Sequence, residues 1–116
     1  MQFRTYHLNK TSISELISPD ITISGIGDIL NIIANAPAKK ILINKEKFHA
    51  DFFNINTGLA NEIFERAKAY DVQFGIIGEL SKVERENLHE FFKKNNQTKQ
   101  IIFSASIEEA KSILSE

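Results

Sequence analysis

The chain has 116 residues, of which 42% are hydrophobic and 25% charged, ordinary proportions for one compact domain and poor ones for a disordered, collagen-like or membrane-spanning chain. Fourteen Lys and Arg stand against fifteen Asp and Glu, a formal charge of −1 that gives no basic field for nucleic acid or anionic lipid. Cysteine is absent, which excludes disulfides, thiolate catalysis and cysteine-bound zinc. The N-terminus has no apolar core of a secretory signal, and no apolar run approaches the roughly 18–20 residues of a membrane span, so a cytoplasmic protein without a membrane partner is expected. No repeat, low-complexity tract or linker divides the chain, and residues 1–116 read as a single domain.

Phe3 to Leu8 and Ile13 to Ile17 are short, partly alternating segments around a polar turn at Asn9-Lys10-Thr11, the pattern of a β-hairpin. From Ile26, the residues Ile26, Ile29, Leu30, Ile33 and Ala34 form the stripe of an amphipathic helix that ends at Asn35 to Pro37. Gly25-Ile26-Gly27 reads as the entry to that helix, because the third glycine of a dinucleotide loop is missing. Ile41-Leu42-Ile43, Phe74-Gly75-Ile76-Ile77 and Ile101-Ile102-Phe103 are continuous apolar runs of the kind that suits strands covered on both faces. Between them lie two helical patterns, Leu59, Ala60, Ile63, Phe64 and Ala67 on one and Leu88, Phe91 and Phe92 on the other. Ser81-x-x-Glu84 and Ser106-x-x-Glu109 have the spacing of capping boxes, and a last helix from Ile107 buries Ala110, Ile113 and Leu114. The expected order is β-β-α-β-α-β-α-β-α: an α/β domain with a mixed sheet, parallel after an antiparallel hairpin, and helices flanking it.

In such a sheet the loops leaving the carboxyl ends of the parallel strands form one rim, next to helix starts whose amides favour anions. The rim candidates are Asn44, Glu46, Asn56, Thr57 and Gly58, then Gly78, Glu79 and Ser81, then Ser104 and Ser106. Taken plainly, Thr57 is the N-cap of the second helix. His49 and Asp51 could contribute to a metal site, but His7 and His89 are far off in sequence, and neither metal nor cofactor is expected. Lys93, Lys94 and Lys99 suit a solvated helix C-terminus. The nine phenylalanines read as core, with Phe52 or Phe53 expected to face solvent, because neighbours in a connector do not easily both point inward.

Asn56-Thr57-Gly58-Leu59-Ala60, opening a helix after a long connector from Glu46 to Ile55, resembles the D-S-S/T-G-L element of STAS domains, the anti-sigma-factor antagonist family. The element order agrees over nearly the whole chain. The resemblance implies Thr57 as phosphoacceptor, Gly58 as a close-approach glycine, Leu59 as a buried anchor and a regulatory protein or kinase as partner. Asn56 stands where that family usually has a second hydroxyl residue, and Ile55 where it has aspartate. Asp51-Phe52-Phe53, Thr57-Gly58-Leu59-Ala60, Glu62-Ile63 and Gly75-Ile76-Ile77-Gly78 also resemble the uncharacterised bacterial family known as domain of unknown function 4180, across the full chain. That implies a STAS-like fold and a bacterial, cytoplasmic setting, with no activity to carry over.

No G-x-S-x-G elbow, Walker loop or H-E-x-x-H appears, and Glu84/Glu86 and Glu108/Glu109 are accounted for at helix starts, so the balance leans against an enzyme. Two expectations stay open. One is a non-catalytic STAS-like regulatory module that docks a partner around a phospho-switch at Thr57, and the other is a sensor whose rim holds a small molecule, anion or nucleotide. A homo-oligomer fits either.

Overall fold

The computed structural model describes residues 1–95 and 98–116. Strands β1 (Phe3–Leu8) and β2 (Thr11–Leu16) pair antiparallel in a register that runs from Phe3 opposite Leu16 to Leu8 opposite Thr11. Asn9 and Lys10 alone make the turn, both left-handed at φ 49° and 64°, which matches the twist a two-residue hairpin needs. Thr11, expected in the turn, therefore already belongs to β2.

Strands β3 (Lys40–Asn44), β4 (Gln73–Ile77) and β5 (Ile101–Ser104) follow in parallel, and the spatial order β1-β2-β3-β4-β5 is also the chain order. Period-2 alternation sends Ile41, Ile43, Phe74, Ile76 and Ile101 to one face of the sheet, and Ile13 and Leu42 to the other. Helices α1 (Ile26–Asn35) and α2 (Leu59–Tyr70) cover the first face. The second face is covered by α5 (Ile107–Leu114) through Ala110 and Leu114. A mixed α/β sheet with flanking helices is thus present.

Two helical expectations need correction. The stripe of α1 is rotated: Ile29 and Ile32 are fully buried and Ile26 and Ile33 pack beside them, whereas Ala34 is exposed. Its entry behaves as expected, with the Asp28 carboxylate accepting the amides of Ser24 and Gly25 at 2.9 and 3.2 Å. The single helix expected between β4 and β5 is two, α3 (Lys82–Asn87) and α4 (His89–Asn95), so the order is β-β-α-β-α-β-α-α-β-α. The break falls at Leu88, which leaves helical geometry at φ −98°, ψ 9°. The cause is a conflict of faces: α3 buries nothing, while Leu88 and Phe91 lie deep in the core, with Phe91 edge-on to Phe64 at 5.8 Å.

Candidate functional site: the carboxyl-end rim

From Lys45 to Gly58 the chain crosses the ends of the strands in three short 3-10 turns, Lys45–Lys47, Ala50–Phe53 and Ile55–Thr57. The connector is stitched to the body of the domain by a bridge between Ile23 and Phe48, with Ile23 N–H donating to the Lys47 carbonyl at 2.7 Å and His49 N–H to the Ile23 carbonyl at 2.8 Å. Phe52 and Phe53 both point inward, at 0% and 8% exposure, against the expectation that one faces solvent. In a 3-10 turn successive side chains diverge by only about a third of a circle. Phe52 can therefore meet Phe48 at 4.6 Å while Phe53 packs edge-on to Phe52 at 5.1 Å.

Thr57 ends this connector, and its role differs from a cap. The N-cap of α2 is Gly58, in the left-handed region at φ 77°, and the Gly58 carbonyl accepts Glu62 N–H at 2.9 Å. A Cβ at Gly58 would meet nothing within 4 Å, so conformation rather than close approach calls for glycine there. The exposed Thr57 hydroxyl lies 2.6 Å from the Asp51 carbonyl and 2.9 Å from that of Asn54, and it donates its single hydrogen to this pair. In return it accepts the Leu59 amide at 3.3 Å. Leu59 is buried, as an anchor must be, and the exposed Asn56 gives its amide to the Asn54 side chain at 3.0 Å. The hydroxyl is a latch that closes the last two turns of the connector onto the start of α2.

The next part of the rim is held by a residue that sequence patterns did not single out. Lys45 passes over Gly78, whose φ of 139° and absent Cβ leave room for the lysine stem, since a Cβ there would lie 2.9 Å from Lys45 Cβ. Its ammonium donates to the Glu79 carbonyl at 2.6 Å and to Glu84 Oε1 at 2.7 Å, and sits 5.7 Å from the centre of the Phe53 ring. Glu84 also accepts the Ser81 amide at 2.8 Å, while Ser81 Oγ accepts the Glu84 amide at 3.1 Å, the capping box expected for α3. Burial pushes the Glu84 carboxyl up, but the bonds from Lys45 and from the Ser81 amide and hydroxyl outweigh it and hold the group below its ordinary value. The only local hint of Lys45 was a cation placed directly after an apolar strand.

Ser104 and Ser106 lie beyond, at the end of β5. Ser106 caps α5 by accepting the Glu109 amide at 3.2 Å, the serine half of the expected box. Ser104 Oγ donates to the Ser106 carbonyl at 2.8 Å and accepts its amide at 3.2 Å. The hydroxyls of Ser81, Ser104 and Ser106 are thus engaged by their own helix starts, and the Lys45 charge is matched by Glu84. Between the connector and α3 runs a groove of ≈ 420 Å³ bordered by Lys45, Glu46, Phe53, Asn54, Glu84 and Asn87. Gly78, Glu79 and Ser104 border a different groove, of ≈ 810 Å³, along β5. The rim candidates therefore form a row of neighbouring features rather than one pocket.

His49 Nδ1 is 3.5 Å from Asp51 and accepts the Asp51 amide at 3.1 Å, which makes the pair a turn cap. Among the described residues no three His, Asp or Glu side chains converge as metal ligands, and no helix is long and apolar enough to cross a membrane. Neither a curated protein nor a solved structure matches the chain. A family model does match, over residues 8–114, and its description is Domain of unknown function (DUF4180).

Proposed function

The chain belongs to the DUF4180 family, and from that premise we propose that it is a non-catalytic, STAS-like regulatory module whose connector, closed by Thr57, forms the docking surface for a regulatory protein or kinase. The leading hairpin and the consecutive strand order favour the STAS-like assignment, and a bacterial, cytoplasmic setting is proposed on the family resemblance alone. The observation that carries the reading is the Thr57 latch. The hydroxyl is exposed to an incoming kinase, yet its one hydrogen holds the connector shut against Asp51 and Asn54.

Transfer of the γ-phosphoryl group of ATP to Oγ1 by a kinase, with release of ADP and of the hydroxyl proton, replaces that hydrogen, so the two carbonyls lose their donor while the ester oxygen still accepts from Leu59. About −1.5 to −2 charges arrive at the start of α2, where the dipole tolerates them. The connector is then released on one side and a partner that reads its closed shape is lost. The test uses tagged native chain, Thr57→Ser and Thr57→Glu expressed in the native host. A stoichiometric partner should co-purify with the first two and be lost from Thr57→Glu, and phosphate should be found on Thr57 by intact-mass and fragmentation spectrometry. Equal recovery with all three would overturn the reading.

The groove beside Lys45 favours a second reading, a small-molecule sensor. With its ammonium paired to Glu84, and with two carboxamides and the Glu46 carboxylate on its border, the groove suits a neutral or cationic polar ligand better than a phosphate. Thermal shift against neutral nucleosides and against ATP separates these chemistries, because a ligand that binds only the folded state raises the melting temperature by mass action.

A further inference from the structure

Strand β5 ends the sheet, and among the described residues no strand pairs with its outer side. The carbonyls of Gln100 and Ser104 accept the amides of Phe74 and Gly78, each at 2.8 Å. Alternation then turns the backbone groups of Gln100, Ile102 and Ser104 toward β4, and those of Ile101 and Phe103 outward. The Ile101 pair is already covered. The Asn95 carboxamide, only 5% exposed, accepts the Ile101 amide at 3.1 Å through Oδ1 and donates through Nδ2 to the Ile101 carbonyl. One side chain thus stands in for one residue of a neighbouring strand, and Phe103 is left as the open position.

Edge strands are ordinarily blunted by charge, proline or a bulge. β1, at the opposite edge, carries Arg4 and His7, whereas Ile101-Ile102-Phe103-Ser104 carries no charge. The groove of ≈ 810 Å³ wraps this edge and is bordered by Phe92, Ile102, Phe103 and Ile113, all four of them partly buried. We infer that the β5 edge docks a second copy of this chain, antiparallel about a twofold axis at Phe103. A residue on such an axis exchanges both of its backbone hydrogen bonds with its own symmetry mate, which uses the one pair that Asn95 leaves open. Charge also selects a like partner. Lys99 lies at the start of the strand, and Glu108 and Glu109 follow its end at the first turn of α5. An antiparallel twofold brings the Lys99 end of one strand beside the start of α5 in the other copy, where those carboxylates lie, and does so twice.

Sedimentation equilibrium of the full chain, from micromolar to millimolar concentration, should show a reversible dimer. Lys99→Glu, which replaces two attractions with two repulsions, should weaken it about tenfold, and adding Glu109→Lys should restore it. Asn95→Ala should strengthen it, because loss of the carboxamide frees the outward Ile101 backbone groups for the other copy, and the Phe103 amide should become more protected from hydrogen exchange as concentration rises. The charge swap is confined to exposed side chains and keeps the test open if Asn95→Ala fails to fold. A chain that stays monomeric at millimolar concentration overturns the inference. So does a dimer that ignores Lys99→Glu, or one that the double swap does not restore.

Discussion

The two faces of the sheet are built on different principles. One carries α1, α2, α4 and the inward side of the connector, tied together by a mesh of phenylalanines in which Phe52 meets Phe48 and Phe103, and Phe64 meets Phe91. The other carries the eight-residue helix α5 on a small cluster around Ile13 and Leu42. That helix is fastened at its ends and flank by polar devices: Lys40 donates to the Leu114 carbonyl, and Lys111 sits 4.1 Å over the Tyr6 ring while pairing with Glu108 at 3.1 Å. The first face draws its stability from apolar area and the second from close approach and helix-end charge. The connector belongs to the first face, so a change at Thr57 acts on segments whose neighbours are core.

The sharpest way to break this contrast is Phe52→Ala, which should cost about 3–5 kcal/mol in urea unfolding if the connector is core. A loss below about 1 kcal/mol would reduce it to an ordinary surface loop. Next comes Gly75→Ala on the opposite face. The added Cβ would lie 2.8 Å from Leu42 Cδ2 and 3.3 Å from Leu114 Cδ1, an overpacking expected to cost about 1–3 kcal/mol, with faster hydrogen exchange confined to α5. Exchange that rises equally in α2 would show the two faces to be one cooperative unit. Ser81→Ala, which removes half of the α3 capping box, should cost about 1 kcal/mol.

The smallest expected effect is at Lys45 and Glu84, whose side chains are 23% and 22% exposed. The Glu84 carboxyl sits below its ordinary value, so its contribution is present at neutral pH and is lost as pH falls past the ordinary carboxylate range and through the lowered value. Lys45→Met should therefore lower stability by up to about 1 kcal/mol at pH 7 and by less in acid. Melting curves across that range check the sign, and a loss that grows in acid would contradict it.

Most of the sheet was legible from the chain itself. Ile41-Leu42-Ile43 and Ile101-Ile102-Phe103 read as strands because continuous β-branched and aromatic runs have no other economical burial in a chain of this size, and the capping spacing at Ser81 placed a helix start correctly. The misreadings have two causes, contacts between residues distant in sequence and short 3-10 turns that carry no hydrophobic period. Nothing local told that Phe64 would need Phe91 beside it, which breaks the helix at Leu88, or that Lys45 would reach Glu84. Thr57 was marked as important on its position before Gly58, but its partners Asp51 and Asn54 lie upstream in a connector whose 3-10 turns have no clear hydrophobic period. The phenylalanine pair was misjudged for the same reason, since inward packing of both depends on those turns.

Because the strands lie side by side in the order in which they are synthesised, every ladder closes between consecutive segments and none waits for a distant one. Loop-closure entropy is thereby spread over several short steps, the condition under which a parallel sheet escapes much of its usual slowness. A nascent chain can add one strand and its helix at a time as it leaves the ribosome, each new strand covering the edge exposed by the one before it. The expected signature is refolding with a dominant phase of about milliseconds in stopped-flow fluorescence, and with the β3 to β4 region the most structured in the transition state.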